Sequence, residues 1–213
     1  MKVQRIFRLI KRRVVFQLAR LRSGPAGSIY WDEDFAEELE TWGKDHVWLE
    51  IQALLADRQG RVLDIACGSG EAMLELRAMP DITVYGCDLS DLLLSRGRSK
   101  NLTRLVVSDA TRLTFPDQCF DYSYSIGSLE HFREDGIERF LAEARRVTRK
   151  GSFHMIPLSR GRDQGWITPY QSYYNNSLAW WMPRFKKAFR LVYTLPSGWS
   201  AWGSLGKWFI CIP

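Results

Sequence analysis

Between residues 60 and 158, strand-like and helix-like segments alternate with links of only a few residues. RVLDIAC (61–67), DITVYGCD (81–88), LTRLVVSD (102–109), CFDYSYSIG (119–127) and GSFHMIPL (151–158) are short apolar runs rich in β-branched and aromatic residues. EAMLELRAM (71–79), SDLLLSRGRSK (90–100) and EDGIERFLAEARRVTRK (134–150) keep helical spacing between them. Pro80 stops the first of these helices and Gly151 the last. Neighbouring parallel strands need a crossover, and a helix supplies it, so strict alternation predicts an α/β fold: a doubly wound, three-layer αβα sandwich around a mainly parallel sheet. Two late runs, FRLVYTL (189–195) and KWFICIP (207–213), are joined by the glycine- and serine-rich PSGWSAWGSLG (196–206). They predict an antiparallel pair at one edge, which makes the sheet seven-stranded. Asp32 to Asp57 has a helical pattern, and the aromatic-rich stretch 161–185 predicts a loop and one helix.

Ligands of such sheets bind outside the carboxyl ends of the strands. Three acids, Asp64, Asp88 and Asp109, stand at successive strand ends. The first opens the stretch DIACGSGEA, in which Gly68 and Gly70 permit close backbone approach ahead of a helix start. A dinucleotide fingerprint would require a third glycine where this chain has Met73, and the GK[ST] ending of a phosphate-cradling loop is missing. Asp64 would also repel a pyrophosphate. Asp88, 18 residues beyond Gly70, can accept from ribose hydroxyls, and Asp109 from an exocyclic amine. The ligand so described has a ribose, an amino-purine and a cationic part that tolerates Asp64. S-adenosylmethionine fits it.

These stretches together resemble the class I S-adenosylmethionine-dependent methyltransferases, of the small-molecule type 11 group. VLDIACGSG (62–70) resembles the family's first motif and VYGCDLS (84–90) its second. SDATRLTFPDQCFD (108–121), YSIGSLEHF (124–132) and RRVTRKGSFHMI (145–156) follow in the family's order, although Arg149-Lys150-Gly151 replaces a common Lys-Pro-Gly-Gly bend. The resemblance implies a Rossmann-like fold and methyl transfer from S-adenosylmethionine to a small molecule. Asp64, Ala66, Cys67, Gly68 and Gly70 would bind the methionine end, Asp88 the ribose, Leu89 one face of adenine, and Asp109 with Ala110 its edge. Ser125 and Ile126 would lie beneath the sulfonium. Glu130 and His131 are the candidates for acceptor chemistry, since an imidazole can take a proton near neutral pH. Trp166, Tyr170, Tyr173, Tyr174, Trp180 and Trp181 are candidates for an acceptor pocket suited to a planar, apolar or sugar-like molecule. Whether oxygen, nitrogen or carbon is methylated stays open, as does a non-catalytic reading in which the fold binds the cofactor or a partner without turnover.

The formal net charge of +6 is unevenly placed. Residues 1–22 hold eight cations and no acid, leaving the remainder at −2. A basic footprint for nucleic acid is therefore missing from the body, as is the Asn/Asp-Pro-Pro-Tyr type of motif used on base amines, so nucleic acid is not expected as a partner. In residues 1–22, Val3, Ile6, Phe7, Ile10, Val14, Leu18 and Leu21 form one stripe, which predicts a basic amphipathic helix. It is too short and too charged to span a bilayer. It suits docking on the domain or on an anionic membrane surface. A break at SGPAGS (23–28) separates it from a single methyltransferase domain over 30–213, with a cofactor-binding core at 60–157 and a substrate-side segment at 158–213. Four dispersed cysteines and three histidines without ligand spacing predict neither a disulfide framework nor a metal site. A cytoplasmic location follows, peripheral to the inner membrane face if the first helix binds lipid.

Overall fold

The structure is a computed structural model; it describes residues 33–167, 172–201 and 203–213. The basic segment 1–22 lies outside the described residues. One sheet holds seven strands: β1 (Gly60–Ile65), β2 (Ile82–Asp88), β3 (Leu105–Val107), β4 (Phe120–Ile126), β5 (Thr148–Ser159), β8 (Leu191–Ala201) and β9 (Ser204–Ile212), in the spatial order β3-β2-β1-β4-β5-β9-β8. The first five pair in parallel. β9 enters antiparallel between β5 and β8, so the expected antiparallel edge is present. The chain turns from one half of the sheet to the other between β1 and β4, and the carboxyl ends of those two strands open side by side.

Helices cover both faces. On one, α5 (Glu134–Val147) and α6 (Leu178–Ala188) bury Phe140, Trp181 and Phe185 against Phe209. On the other, α2 (Val47–Leu55) and α3 (Glu71–Leu76) bury Trp48, Ile51 and Leu76 against Tyr124 and Trp208. α4 (Asp91–Ser99) links β2 to β3, and α1 (Glu33–Trp42) precedes α2. The polar groups that β4 and β5 turn into the first core satisfy one another in a row. Thr148 donates to Ser123 at 2.7 Å, Ser123 and Ser152 share a bond of 2.6 Å, and the His154 imidazole joins Ser152 to Ser125 at 2.8 Å on each side.

Several expected boundaries move. The helix over 32–57 is two helices broken at Gly43, and the strand over 102–109 shrinks to three residues. Thr148–Lys150 extends β5 rather than α5, because Thr148 pairs with Phe120 across the sheet. The glycine- and serine-rich 196–206 is mostly paired strand: Pro196 faces Lys207 and Ser200 faces Leu205 around a bulge. Cross-strand pairing there overrides weak propensity. A two-residue hairpin, β6 (Trp166–Ile167) with β7 (Tyr173–Tyr174), was not expected at all.

Candidate active site

The bend after β1 builds one end of the site. Ala66, Gly68 and Gly70 all take positive φ, at 58°, 57° and 79°, which throws the backbone outward before α3. At Gly70 a Cβ would sit 2.3 Å from Leu102 Cδ1, so any larger residue would force that side chain aside as well as strain the backbone. Asp88, at the end of β2, locks this bend to the next one. Its Oδ2 accepts from Gly68 N at 2.9 Å and its Oδ1 from Ser90 N at 2.8 Å. Ser90 in turn caps α4 through Leu93 N. The Leu89 backbone N–H also bears on this carboxylate. Asp109 is arranged alike: Oδ1 accepts from Thr111 N and Oγ1, both at 2.8 Å, and Oδ2 has no such partner. Leu89 stands 68% exposed on the same wall, and Ala110 closes it from behind.

Asp64 is only 3% exposed and no cation pairs with it. Its neighbour is the buried Tyr124 hydroxyl, which finds no well-aligned partner of its own. Burial pushes the Asp64 carboxyl well above the usual carboxylate range; the Tyr124 hydroxyl opposes the shift and the charge of Asp88 adds to it. Burial also raises Asp88, against the pull of its backbone donors.

These groups face one cavity of about 920 Å³, near the upper end of ordinary ligand pockets. Asp64, Ala66, Cys67, Gly68, Asp88, Leu89, Asp109, Ala110 and Ile126 all line it. Two expected residues do not. Gly70 caps α3 behind the wall. Ser125 faces the α5–α6 core, where its hydroxyl meets His154. Successive residues of a strand point to opposite faces, so Ile126 reaches the cavity and Ser125 cannot.

The other end is built around a single 3-10 turn, Leu129–His131. His131 Nδ1 lies 3.0 Å from the Ser172 carbonyl oxygen. A carbonyl only accepts, so Nδ1 carries the proton and Nε2 is bare, 3.9 Å from Glu130 Oε1. Burial lowers the imidazole to about 4 and raises the Glu130 carboxyl to about 8. Near neutral pH both are uncharged: an acid proton stands beside an unprotonated ring nitrogen. Glu130 is 3% exposed, and its Oε2 is buried without a partner.

Aromatic walls complete this end. Trp42, at the end of α1, meets Trp199 of β8 edge-to-face at 5.8 Å. Trp199 is held by a clamp below it: Glu50 of α2 accepts from Ser197 Oγ, Gly198 N and Trp208 Nε1, each at 2.6 Å. Across the opening, the Arg133 guanidinium lies 4.0 Å above the Trp166 ring, and Arg139 pairs with Asp135 at 2.8 Å. Of the aromatic candidates, Trp166 lines the cavity and Tyr173 packs edge-on to His131. Tyr174 and Trp180 pack on each other, and Trp181 is fully buried in the core. Tyr170 lies outside the described residues. The sequence reading missed Leu39, Trp42, Trp48 and Trp199 as wall residues. A tryptophan amid the small residues of PSGWSAWGSLG was the one available signal for Trp199. Among the described residues no cluster could hold a metal ion.

Residues 62–151 match the family described as a methyltransferase domain. The chain is 32% identical over 160 residues to the ubiquinone/menaquinone biosynthesis C-methyltransferase UbiE of Bordetella avium, covering 69% of this chain and 60% of that one. It is 31% identical over 148 residues to the 27-O-demethylrifamycin SV methyltransferase of Amycolatopsis mediterranei, covering 62% and 52%. The chain spans about half the length of the curated relatives it matches. Its fold is shared with an N-methyltransferase 2 of Haemonchus contortus, solved with phosphomonomethylethanolamine and S-adenosylhomocysteine, at a TM-score of 0.64, 16% identity and coverage of 84% of this chain and 56% of that one.

Proposed function

Because this chain belongs to the class I S-adenosylmethionine-dependent methyltransferases, we propose that it methylates a small molecule whose reacting group enters between Glu130 and His131. The residues present fit S-adenosylmethionine. Asp64 is a buried carboxyl with no cation beside it, and a sulfonium or ammonium would supply the missing charge. Asp88 presents a carboxylate to the ribose hydroxyls, Asp109 Oδ2 is free for an exocyclic amine, and Leu89 offers an exposed apolar surface to a purine face. When bound, the cofactor supplies a methyl group already activated by positive sulfur.

The chain's own part is to position, to dry and to hydrogen-bond the reacting group. Trp42, Trp199 and Phe132 keep water from the acceptor end and suit a flat or apolar acceptor body. The bare His131 Nε2 accepts a hydrogen bond from the acceptor's reacting group, and the Ser172 carbonyl holds the ring in the tautomer that allows it. Glu130, protonated near neutral pH, donates to an acceptor oxygen. The observation that carries this reading is the convergence of three strand-end acids and the Glu130–His131 pair on one cavity. An open cavity of this size favours turnover over a purely scaffolding role. Four free cysteines, Cys67, Cys87, Cys119 and Cys211, support a reducing compartment such as the cytoplasm.

The test is calorimetric titration of the full chain with S-adenosylmethionine and S-adenosylhomocysteine, followed by an acceptor screen with labelled methyl groups. Saturable binding that Asp88→Asn weakens supports the reading. A folded sample that binds neither ligand refutes it.

A further inference from the structure

Every acid on α5 is engaged by a cation other than Arg133, the residue at the N-cap of that helix. Glu134 pairs with Arg184, Asp135 with Arg139, Glu138 with Lys187 and Glu143 with Arg146. Asp163, ahead of the β6–β7 hairpin, accepts from Ser177 N at 2.6 Å, and residues 164–175 contain no acid. Arg133 therefore pairs with no carboxylate among the described residues. Its contact is with a ring instead: the guanidinium carbon lies 4.0 Å from the Trp166 centroid. An aromatic face holds a guanidinium by cation–π attraction, which consumes none of its five N–H donors. Both residues line the cavity, at its acceptor end.

One hairpin holds Arg133 and His131 together. β6 puts Trp166 beneath the guanidinium. β7 pairs with it at Trp166–Tyr174 and Ile167–Tyr173, and sets Tyr173 edge-on to the imidazole at 6.2 Å. The Ser172 carbonyl, one residue earlier, fixes His131 Nδ1. Gly165 N donates to Asn176 Oδ1 at 2.8 Å, and Asn175 N to the Gly165 carbonyl at 3.1 Å, which ties the two arms at their base. Between the two residues, Phe132 packs on Phe140 of α5. Two positions apart, His131 and Arg133 have Cα atoms at most about 7 Å from each other. One small molecule can reach both.

The cavity is thus electrically polar. Its strand-end wall carries Asp64, Asp88 and Asp109. Its acceptor end carries Arg133, Arg139 and Asp135, and the last two neutralise each other. Burial keeps Glu130 and His131 uncharged near neutral pH, so one positive charge is left at that end. A cationic acceptor would be repelled there, and a neutral one would leave the Arg133 donors to water. A carboxylate or phosphate matches the guanidinium fork. Resting on the methyltransferase reading above, we propose that the acceptor is a flat aromatic molecule bearing a carboxylate or phosphate. Arg133, held over Trp166, receives that group, and the reacting group is turned to His131. Arg133 then decides between charged and uncharged acceptors of the same shape.

The test is fluorescence titration of the full chain, loaded with S-adenosylhomocysteine, with two probes that share one aromatic body. One is the anionic 8-anilinonaphthalene-1-sulfonate and the other the uncharged N-phenyl-1-naphthylamine. The sulfonate should bind about tenfold more tightly, the gain expected of one charge-assisted contact. Arg133→Gln should bring the sulfonate down to the neutral probe and leave the neutral probe unchanged; Arg133→Lys should keep part of the preference. Arg133 is exposed, so melting temperature and S-adenosylhomocysteine affinity should stay at wild-type values. Displacement of the sulfonate by benzoate would assign a carboxylate, and by phenyl phosphate a phosphate. The proposal is overturned if the wild type binds neither probe or binds both alike, if Arg133→Gln keeps the preference, or if neither benzoate nor phenyl phosphate displaces the sulfonate. A folded chain that fails to load S-adenosylhomocysteine at all refutes the methyltransferase reading instead, which keeps the two failures apart.

Discussion

The two ends of the cavity are made differently. The acid-lined end comes from the carboxyl ends of three neighbouring strands, and much of it is backbone: positive φ at Ala66, Gly68 and Gly70, with Asp88 fastening two bends. The aromatic end is a meeting of side chains from α1, the turn after β4, β6 and β8, which are far apart in the chain. The first end is fixed by local geometry. The second exists only once distant elements have packed. A change in one should therefore leave the other readable.

The largest expected effect is at the acid end. Asp88→Ala removes the proposed ribose acceptor together with both backbone bonds, so S-adenosylhomocysteine affinity should fall about a hundredfold, the loss expected for one or two bonds to a charged group. Calorimetry would show it. If Trp199→Ala caused an equal loss, the division between the ends would fail.

The next effect is a pH signature of the aromatic end. Folded Glu130 holds its proton to about 8, while its unfolded value is 4.5. Its contribution to stability therefore falls as pH rises through that window. His131 and His154, lowered to about 4 and about 3 from 6.5, act in the opposite sense but only below 6.5. Between pH 6.5 and 8 Glu130 should account for a fall of about 2 kcal/mol, and Asp64, also raised well above its ordinary value, adds to the fall in the same sense. Glu130→Gln should flatten that fall in denaturant titrations. An unchanged slope would mean that Glu130 is ionised in the folded protein.

A smaller effect tests the clamp. Glu50→Gln keeps the shape but weakens three hydrogen bonds, and should lower stability by about 1–3 kcal/mol with no change in S-adenosylhomocysteine affinity. The smallest is linkage at Asp64. A cation arriving beside its raised carboxyl expels a proton, so S-adenosylmethionine affinity should rise with pH. Calorimetry in two buffers of different ionisation enthalpy would record a fraction of a proton released.

The same contrast explains what could be seen in the sequence. Asp64, Gly68, Asp88 and Asp109 sit at fixed offsets from strand ends, and offset is a property of sequence. Ser125 was misplaced because naming two adjacent strand residues for one site ignores the two-residue period that sends them to opposite faces. Glu130 and His131 could be placed on the cavity wall from the sequence because they follow β4 within a few residues. Trp42 and Trp199 could not, because their meeting depends on how α1 and a bulged edge strand pack, and no local pattern encodes that. The bulged strand itself was hidden by its glycines and serines, which pair well only because Trp208 and Glu50 wait opposite.

Glu50 has a bearing on how the chain acquires its shape. It joins residues 147, 148 and 158 positions away. Contacts of that separation are slow to close, and on the ribosome they must wait until Trp208 has emerged. The β1–β5 segment can order before them. A nascent chain would then order the acid-lined end of the cavity first and the Trp199 wall last, and removing β8 and β9 would cost the aromatic end before the acid-lined end.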